Sequence, residues 1–155
     1  MSTFVLAVLI GVVAGLRALT PLAAISWATR LGYLHPENIW LAFLGFRFTP
    51  YIVSVLAIAE LINDKRPETP SRREPASFLT RVATGALSGA AIGAASQALF
   101  AGLLAGIAGA VAGTLGGYDF RTRLVKATGG KDLPIALLED AIAIGAAFLI
   151  VLRFA

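Results

Sequence analysis

Cysteine is absent from this 155-residue sequence, and histidine occurs only once. The absence of Cys excludes disulfides, thiolate nucleophiles and zinc–cysteine sites, and a single His excludes a histidine triad or a multi-histidine metal site. No catalytic motif is recognisable, so the sequence does not favour an enzyme. It also gives no sign of a cofactor or a resident metal.

Charged residues are scarce, at 14% of the chain, whereas hydrophobic residues make up 57%. Soluble domains carry about 25% charged residues. Together with a mean hydropathy of +0.81, this composition excludes a disordered chain and predicts a protein whose solvent is a lipid bilayer.

The basic residues are concentrated in two short segments between apolar runs, and they account for most of the formal net charge of +4. This placement is typical of orientation signals in membrane proteins and argues against nucleic-acid binding. The two segments contain Lys65, Arg66, Arg72 and Arg73, and Arg121, Arg123, Lys126 and Lys131. We expect both segments to be cytoplasmic, and the amino terminus with them.

Five apolar runs predict an all-α fold, a polytopic helical membrane bundle that forms one domain over residues 1–155. The runs cover residues 3–28, 39–62, 78–95, 98–117 and 134–154 approximately. The third and fourth form one apolar stretch, twice the length that a single crossing needs, so we expect a helical hairpin that turns at Ser96 and Gln97. Asp132 is expected to cap the last helix, with Pro134 in its first turn.

Glycine recurs every four residues along this predicted hairpin, a pattern known as a glycine zipper. The three series are Gly85, Gly89 and Gly93, then Gly102 and Gly106, and then Gly109, Gly113 and Gly117. Because small residues let helix backbones approach closely in lipid, the pattern predicts tight helix pairing. A glycine-lined pathway or a sliding helix pair is the functional alternative to packing alone.

Two apolar runs contain an arginine beside a predicted helix break. Residues 15–21 and 45–50 each have a Gly, an Arg two residues later and then Thr-Pro, which places Arg17 and Arg47 next to Pro21 and Pro50. Arginine at membrane depth needs a partner or access to the interface. These breaks predict a substrate or anion site that includes Arg17, Thr20 and Arg47. Alternatively, the arginines reach the interface or bind carbonyls freed at the breaks.

Three carboxylates in apolar runs are candidate coupling groups. Glu60 lies late in the second run, and Glu139 and Asp140 lie early in the last. We expect all three near the cytoplasmic side, with Arg17 and Arg47 in the middle or outer half of the membrane. Neighbouring helical residues point about 100° apart, so one of Glu139 and Asp140 should face the bundle and the other the headgroups. The alternatives are a proton or cation relay and interfacial ion pairs.

The loop after the second run is rich in proline, and its Lys, Arg, Ser and Thr side chains are donors suited to a phosphate group. The candidate headgroup-binding or phosphate-binding residues are Lys65, Arg66, Ser71, Arg72 and Arg73. The alternative is a loop that sets topology and contacts anionic lipid nonspecifically.

Several short motifs resemble a bacterial family of small integral membrane proteins whose domain has no known function. They are residues 15–18 with 20–22, residues 64–65 with 67 and 69–72, residues 117–118, and residues 139–140. The resemblance covers nearly the whole chain and implies a helical inner-membrane protein. It implies no activity, substrate or catalytic residue.

Three functions follow as expectations for a multi-pass protein of the bacterial inner membrane. The first is a transporter or channel for a small solute or ion, which a polar cavity reaching Arg17 would favour. The second is an enzyme or binder acting on phospholipid headgroups, which a shallow groove containing Lys65, Ser71, Arg72 and a carboxylate would favour. The third is a scaffold without a ligand or a cavity. We expect membrane lipids and further copies of the chain as partners.

Overall fold

The computed structural model describes residues 2–35, 40–66 and 71–155, and it has helices and no strands in these ranges. The α-helices are α1 (Thr3–Leu16), α2 (Leu19–Arg30), α3 (Thr49–Asn63), α4 (Pro75–Ala94), α5 (Leu99–Ala127) and α6 (Asp132–Val151). Short 3-10 helices precede α3 at Trp40–Gly45 and follow α6 at Leu152–Phe154. The all-α prediction is therefore confirmed.

Both predicted helix breaks are present, and each separates two helical segments. Arg17 has an extended backbone (φ −140°, ψ 112°) between α1 and α2, and Pro21 lies in the first turn of α2. Pro50 lies in the first turn of α3. Proline suits this position because the first N–H groups of a helix have no partner within it. Residue 39, where the second run was predicted to begin, lies outside the described residues.

α2 runs away from Arg17 alongside α3 in the antiparallel direction. At the start of α2, the backbone N–H groups of Ala18 and Leu19 donate to Glu60, near the end of α3. Further along α2, the Trp27 indole donates to the Ser54 hydroxyl at 3.0 Å. The first apolar run is therefore two helices that meet at Arg17.

The hairpin of α4 and α5 turns at residues 95–98, as the sequence predicts. Gln97 adopts a left-handed conformation in this turn (φ 57°). A Cβ atom added to Gly89 would lie 2.7 Å from the Gly106 Cα and also collide with the Gly102 carbonyl. The two helix backbones are thus so close at this contact that only glycine fits without a shift.

Glycines also allow α1 to pack in parallel against α5. A Cβ added to Gly11 would overlap the Gly106 backbone, and one added to Gly15 would lie 2.6 Å from the Ala110 carbonyl oxygen. α1 therefore lies in a groove of α4 and α5 and carries Arg17 to a fixed height along α5. This placement brings Arg17 to the charged end of the bundle.

The two basic segments lie at one end of the bundle, which we call the basic end. Arg73 binds Asp119 there at 2.9 Å. The α4–α5 turn lies at the opposite end, and the Thr3 hydroxyl is 2.7 Å from that of Ser96 in this turn. The start of α1 thus lies away from the basic segments, whereas the sequence analysis placed them on one side. The prediction treated residues 3–28 as one crossing, but the chain reverses at Arg17.

By length and composition, two helices in the described part of the chain could cross a membrane, namely Leu99–Ala127 and Asp132–Phe154. α1 and α3 are apolar but shorter, with 14 and 15 residues. α5 continues ten residues past its predicted end at Gly117. The outer surface is apolar, with side chains that are 62–78% exposed at Val55, Leu79, Phe100, Leu104, Phe148 and Leu149.

Candidate functional site

Four basic and four acidic side chains meet where α1, α3, α4 and α6 approach the basic end. We call this group the charge cluster, and it comprises Arg17, Lys65, Arg72, Arg81, Glu60, Asp64, Glu139 and Asp140. Their formal charges balance. A balanced group can be buried because each charge has an opposite charge nearby in place of water.

Arg17 is the centre of the cluster and is fully buried, with 0% exposure. Its Nε donates to Asp140 Oδ1 at 2.6 Å, and its Nη1 binds Asp64. Its Nη2 lies 2.5 Å from the same Asp140 oxygen, which makes a further ion-pair contact. The prediction that Arg17 lies in the middle or outer half of the membrane, away from the carboxylates, is therefore wrong, because α1 ends at the basic end.

Glu139 and Asp140 are both buried, although one was expected to face the headgroups. Asp140 binds Arg17 and Lys65. Glu139 accepts hydrogen bonds from both terminal nitrogens of Arg72, and its Oε2 lies 3.4 Å from Arg121 Nη1. The two carboxylates diverge as helix geometry requires. Both are buried because cations reach α6 from two sides.

Glu60 and Arg81 satisfy the backbone groups freed at the break beside Arg17. The Glu60 carboxylate accepts the Ala18 N–H at 2.7 Å and the Leu19 N–H at 2.8 Å. Arg81 Nη1 donates to the carbonyls of Gly15 and Leu16 at 3.1 and 2.8 Å. Arg17 Nη1 also lies 3.5 Å from the Leu16 carbonyl oxygen, as the alternative interpretation of this arginine expects. Most of the contacts to the freed carbonyls nevertheless come from Arg81 of α4, which is not among the predicted site residues. Its signal was its position as the one charge within residues 78–117.

The structure does not bring Arg47 and Thr20 into one site with Arg17. Arg47 is exposed near the start of α3, where its guanidinium lies 5.5 Å from the Phe48 ring centroid and shares a surface depression with Arg30. Thr20 is buried, and its hydroxyl has no hydrogen-bond partner among the described residues. It lines a separate, mostly apolar cavity of about 230 Å³ with Trp27 and Phe148.

An open cavity of about 520 Å³ adjoins the charge cluster at the basic end, and we call it the basic cavity. Its polar lining comprises Asp64, Arg66, Ser71, Arg72, Tyr118, Arg121, Thr122, Lys126 and Asp132. Four of these are basic and two are acidic. The hydroxyl groups of Ser71 and Tyr118 add neutral donors, whereas that of Thr122 donates to the Tyr118 carbonyl at 2.8 Å. The cavity thus has the donors and the positive charge that a phosphate group requires.

Acidic groups among the described residues pair with some of these cations but not with all of them. Arg121 donates to both oxygens of Asp132 at 2.9 and 2.7 Å, and Arg72 is paired with Glu139. Within the described ranges, the side chains of Arg66 and Lys126 have no ion-pair partner. These two cations therefore face the cavity without a partner from the described residues.

Three of the five residues predicted to bind a headgroup line the basic cavity, namely Arg66, Ser71 and Arg72. Lys65 instead points into the charge cluster, where it binds Asp140 and the Leu61 carbonyl. Arg73 turns to Asp119 and lies over the Tyr118 ring, with 4.4 Å from its guanidinium carbon to the ring centroid. Residues 67–70 of the proline-rich loop lie outside the described residues.

The opposite wall of the basic cavity comes from the end of α5, in a stretch that the sequence predicts as a loop. Tyr118, Arg121, Thr122 and Lys126 recur in the sequence at spacings of three and four residues. This spacing indicates that the helix continues and presents them on one face. Asp132 does not cap α6 as predicted. It is the first residue of that helix, after Lys131 as N-cap, and it binds Arg121 instead.

The carboxylates of the charge cluster do not form a metal centre. Over residues 2–35, 40–66 and 71–155, no group of three or more His, Cys, Asp or Glu side chains is arranged to hold a metal ion. Each cluster carboxylate instead faces an arginine or a lysine, or caps a helix.

Comparison with known families gives one match, a family model described as a domain of unknown function (DUF4126), over residues 4–153. This agrees with the resemblance read from the sequence. No curated protein and no solved structure matches the chain.

Proposed function

Since the chain belongs to this family of domains of unknown function, we propose its function from its geometry: an integral membrane protein that binds a phosphate-bearing ligand in the basic cavity. The observation that carries the proposal is the pair of cations Arg66 and Lys126, which have no ion-pair partner in the described part of the chain. Both face one open cavity together with the hydroxyl groups of Ser71 and Tyr118. Charge-assisted hydrogen bonds of this kind are the strong contacts of phosphate sites.

The membrane assignment rests on the apolar outer surface and on the two helices of sufficient length. We propose that all six α-helices lie in the bilayer. The five predicted crossings are then replaced by six helical segments of unequal length. The shorter helices are 12–15 residues long, or about 18–22 Å, so they would rely on flanking loops to reach the interface.

The orientation follows from the distribution of basic residues. The basic end holds the two segments with eight of the 13 Lys and Arg residues, which favours the cytoplasmic side. In this orientation the basic cavity opens to the cytoplasm at the height of the lipid headgroups, and the amino terminus lies on the other side.

The charge cluster would act as the rigid floor of this cavity. Asp64 and Arg72 belong to both the cluster and the cavity lining. Their positions are fixed by Arg17 and Glu139, both buried. A ligand phosphate would therefore meet donors that are already held in place, which lowers the ordering cost of binding.

Transport, the first function predicted from the sequence, has less support from this geometry. The charge of Arg17 is already balanced by Asp64 and Asp140, and Arg47 lies in a different depression. Transport stays a prediction, for which a liposome flux screen across anions, cations and protons is the test. Self-association also stays a prediction.

Titration calorimetry of the purified full chain in dodecyl maltoside at low salt tests the proposal. The probes are glycerol 3-phosphate and the short-chain lipid dihexanoyl phosphatidic acid. The double variant Arg66→Gln with Lys126→Gln should weaken binding at least tenfold, since each charged hydrogen bond contributes about 1.5–3 kcal/mol. Arg123→Gln is the matched control, because Arg123 is exposed on α5 and does not line the cavity. Binding of both probes that is unchanged in the double variant would refute the proposal.

A further inference from the structure

A second, apolar cleft of about 130 Å³ lies beside the basic cavity, between α5 and α6. Its apolar lining comprises Leu16, Gly117, Phe120, Leu124, Ile135, Leu138 and Ile142. Phe120, Leu138 and Ile142 are 61%, 51% and 50% exposed, so the cleft opens on the outer surface of the bundle. In the proposed orientation, this surface faces the lipid.

The cleft and the basic cavity share one residue. Arg121 lines both, and it lies between Asp132 on the cavity side and Glu139, which also lines the cleft. A ligand whose phosphate lay near Arg121 would therefore have the apolar cleft beside it, leading from the phosphate toward the lipid. A small soluble phosphate compound would leave the cleft unfilled.

Glycine keeps the floor of the cleft open at the junction. A Cβ added to Gly117 would lie 2.5 Å from the Leu16 Cδ2 and 3.5 Å from Arg72 Nη1. A larger residue at this position would press Leu16 toward the cleft and crowd the Arg72–Glu139 pair. A side chain at Gly116, one residue earlier, would meet nothing within 4 Å.

Building on the proposed phosphate site, we infer that the ligand is an anionic phospholipid. Its phosphate would lie in the basic cavity, and an acyl chain would lie in the cleft between α5 and α6. The net positive charge of the cavity complements the phosphate, and the apolar lining of the cleft complements the chain. Lateral entry from the cytoplasmic leaflet follows, because the cleft opens toward the bilayer.

Photocrosslinking of the full chain in phosphatidylcholine nanodiscs tests this inference. The probe is phosphatidic acid with a diazirine on one acyl chain, and the crosslinked residues are identified by mass spectrometry. We expect crosslinks at Phe120, Leu138 or Ile142. Excess unlabelled phosphatidic acid should reduce them several-fold, whereas an equal concentration of glycerol 3-phosphate should reduce them much less.

Adjacent residues of α6 provide a matched pair of variants. Leu137 and Leu138 are both 51% exposed, but only Leu138 lines the cleft. Leu138→Trp should fill the cleft and lower the crosslinking yield several-fold, and Leu137→Trp should leave it unchanged. Ile142→Trp is a second filling variant for the case in which Leu138→Trp fails to give a symmetric size-exclusion peak.

The outcomes separate this inference from the proposed phosphate site. If crosslinks spread over the outer surface as they do with a phosphatidylcholine probe, or if the two Trp variants behave alike, the lipid inference is overturned. The phosphate site still stands in that case when glycerol 3-phosphate binding is weakened in the double variant Arg66→Gln with Lys126→Gln. If neither phosphate binding nor crosslinking responds to the double variant Arg66→Gln with Lys126→Gln, both proposals fail.

Discussion

Neutralising Arg17 should destabilise the protein far more than neutralising Arg47, although the two residues occupy similar sequence motifs. Arg17 is fully buried against Asp64 and Asp140, whereas Arg47 is exposed. Removing one partner from a buried ion pair costs about 3–5 kcal/mol, because the other charge stays buried without compensation. Lys65 still binds Asp140 after the change, so we expect about 3 kcal/mol for Arg17→Gln.

This free energy corresponds to a measurable change in melting temperature. For a domain of about 150 residues, 1 kcal/mol shifts the midpoint by about 2–4 °C, so Arg17→Gln should melt about 6–12 °C lower. Far-UV circular dichroism of the purified protein in dodecyl maltoside provides the measurement. Arg47→Gln is the control, and its expected loss is below about 1 kcal/mol, the size of an exposed cation–π contact.

A double-mutant cycle tests the reason for the loss. Asp64 has Arg17 as its close partner, and Arg72 is 3.9 Å away. Asp64→Asn should therefore recover part of the stability lost in Arg17→Gln, with a coupling of about 0.5–3 kcal/mol. Equal melting temperatures for Arg17→Gln and Arg47→Gln, or strictly additive losses in the cycle, would refute the assignment of Arg17 as a buried, compensated charge.

Two further predictions concern helix packing and topology. Gly89→Ala should lower the melting temperature by several degrees, because its Cβ collides with the α5 backbone. Gly116→Ala should raise the melting temperature slightly, since its Cβ has open space and Ala favours helix over Gly by about 1 kcal/mol. The reverse order would contradict the packing of α4 on α5. In proteoliposomes, a maleimide reagent should label Ser2→Cys and Ser71→Cys from opposite sides of the membrane, in a chain with no native Cys, and labelling from the same side would restore the topology predicted from the sequence.

The sequence alone determined the features that depend on short stretches of chain. Apolar runs with few charges predict helices in a membrane, and the structure has helices at each of them. The Thr-Pro pairs predict the breaks before Pro21 and Pro50, because proline prefers the first turn of a helix. The four-residue spacing of glycine predicts the close approach of α4 and α5, since this spacing places the glycines on one helix face.

The end of α5 lies ten residues beyond the end that the sequence predicts. Charged residues after Gly117 suggested a loop, because a membrane crossing ends where charges begin. Leu, Arg and Lys are nevertheless good helix formers in water, and α5 continues to Ala127. That extension supplies Arg121 and Lys126, and with them one wall of the basic cavity.

The tertiary structure alone decided which charges meet. Arg17 is 123 positions from Asp140, and the two are partners because the chain reverses at Arg17 and α1 packs in parallel with α5. The hydropathy pattern does not predict this reversal, because apolar residues continue on both sides of Arg17. The reversal is possible because Glu60 and Arg81, from distant helices, satisfy the backbone groups that it frees. Such pairing is set by the directions of packed helices, which no short stretch of sequence contains.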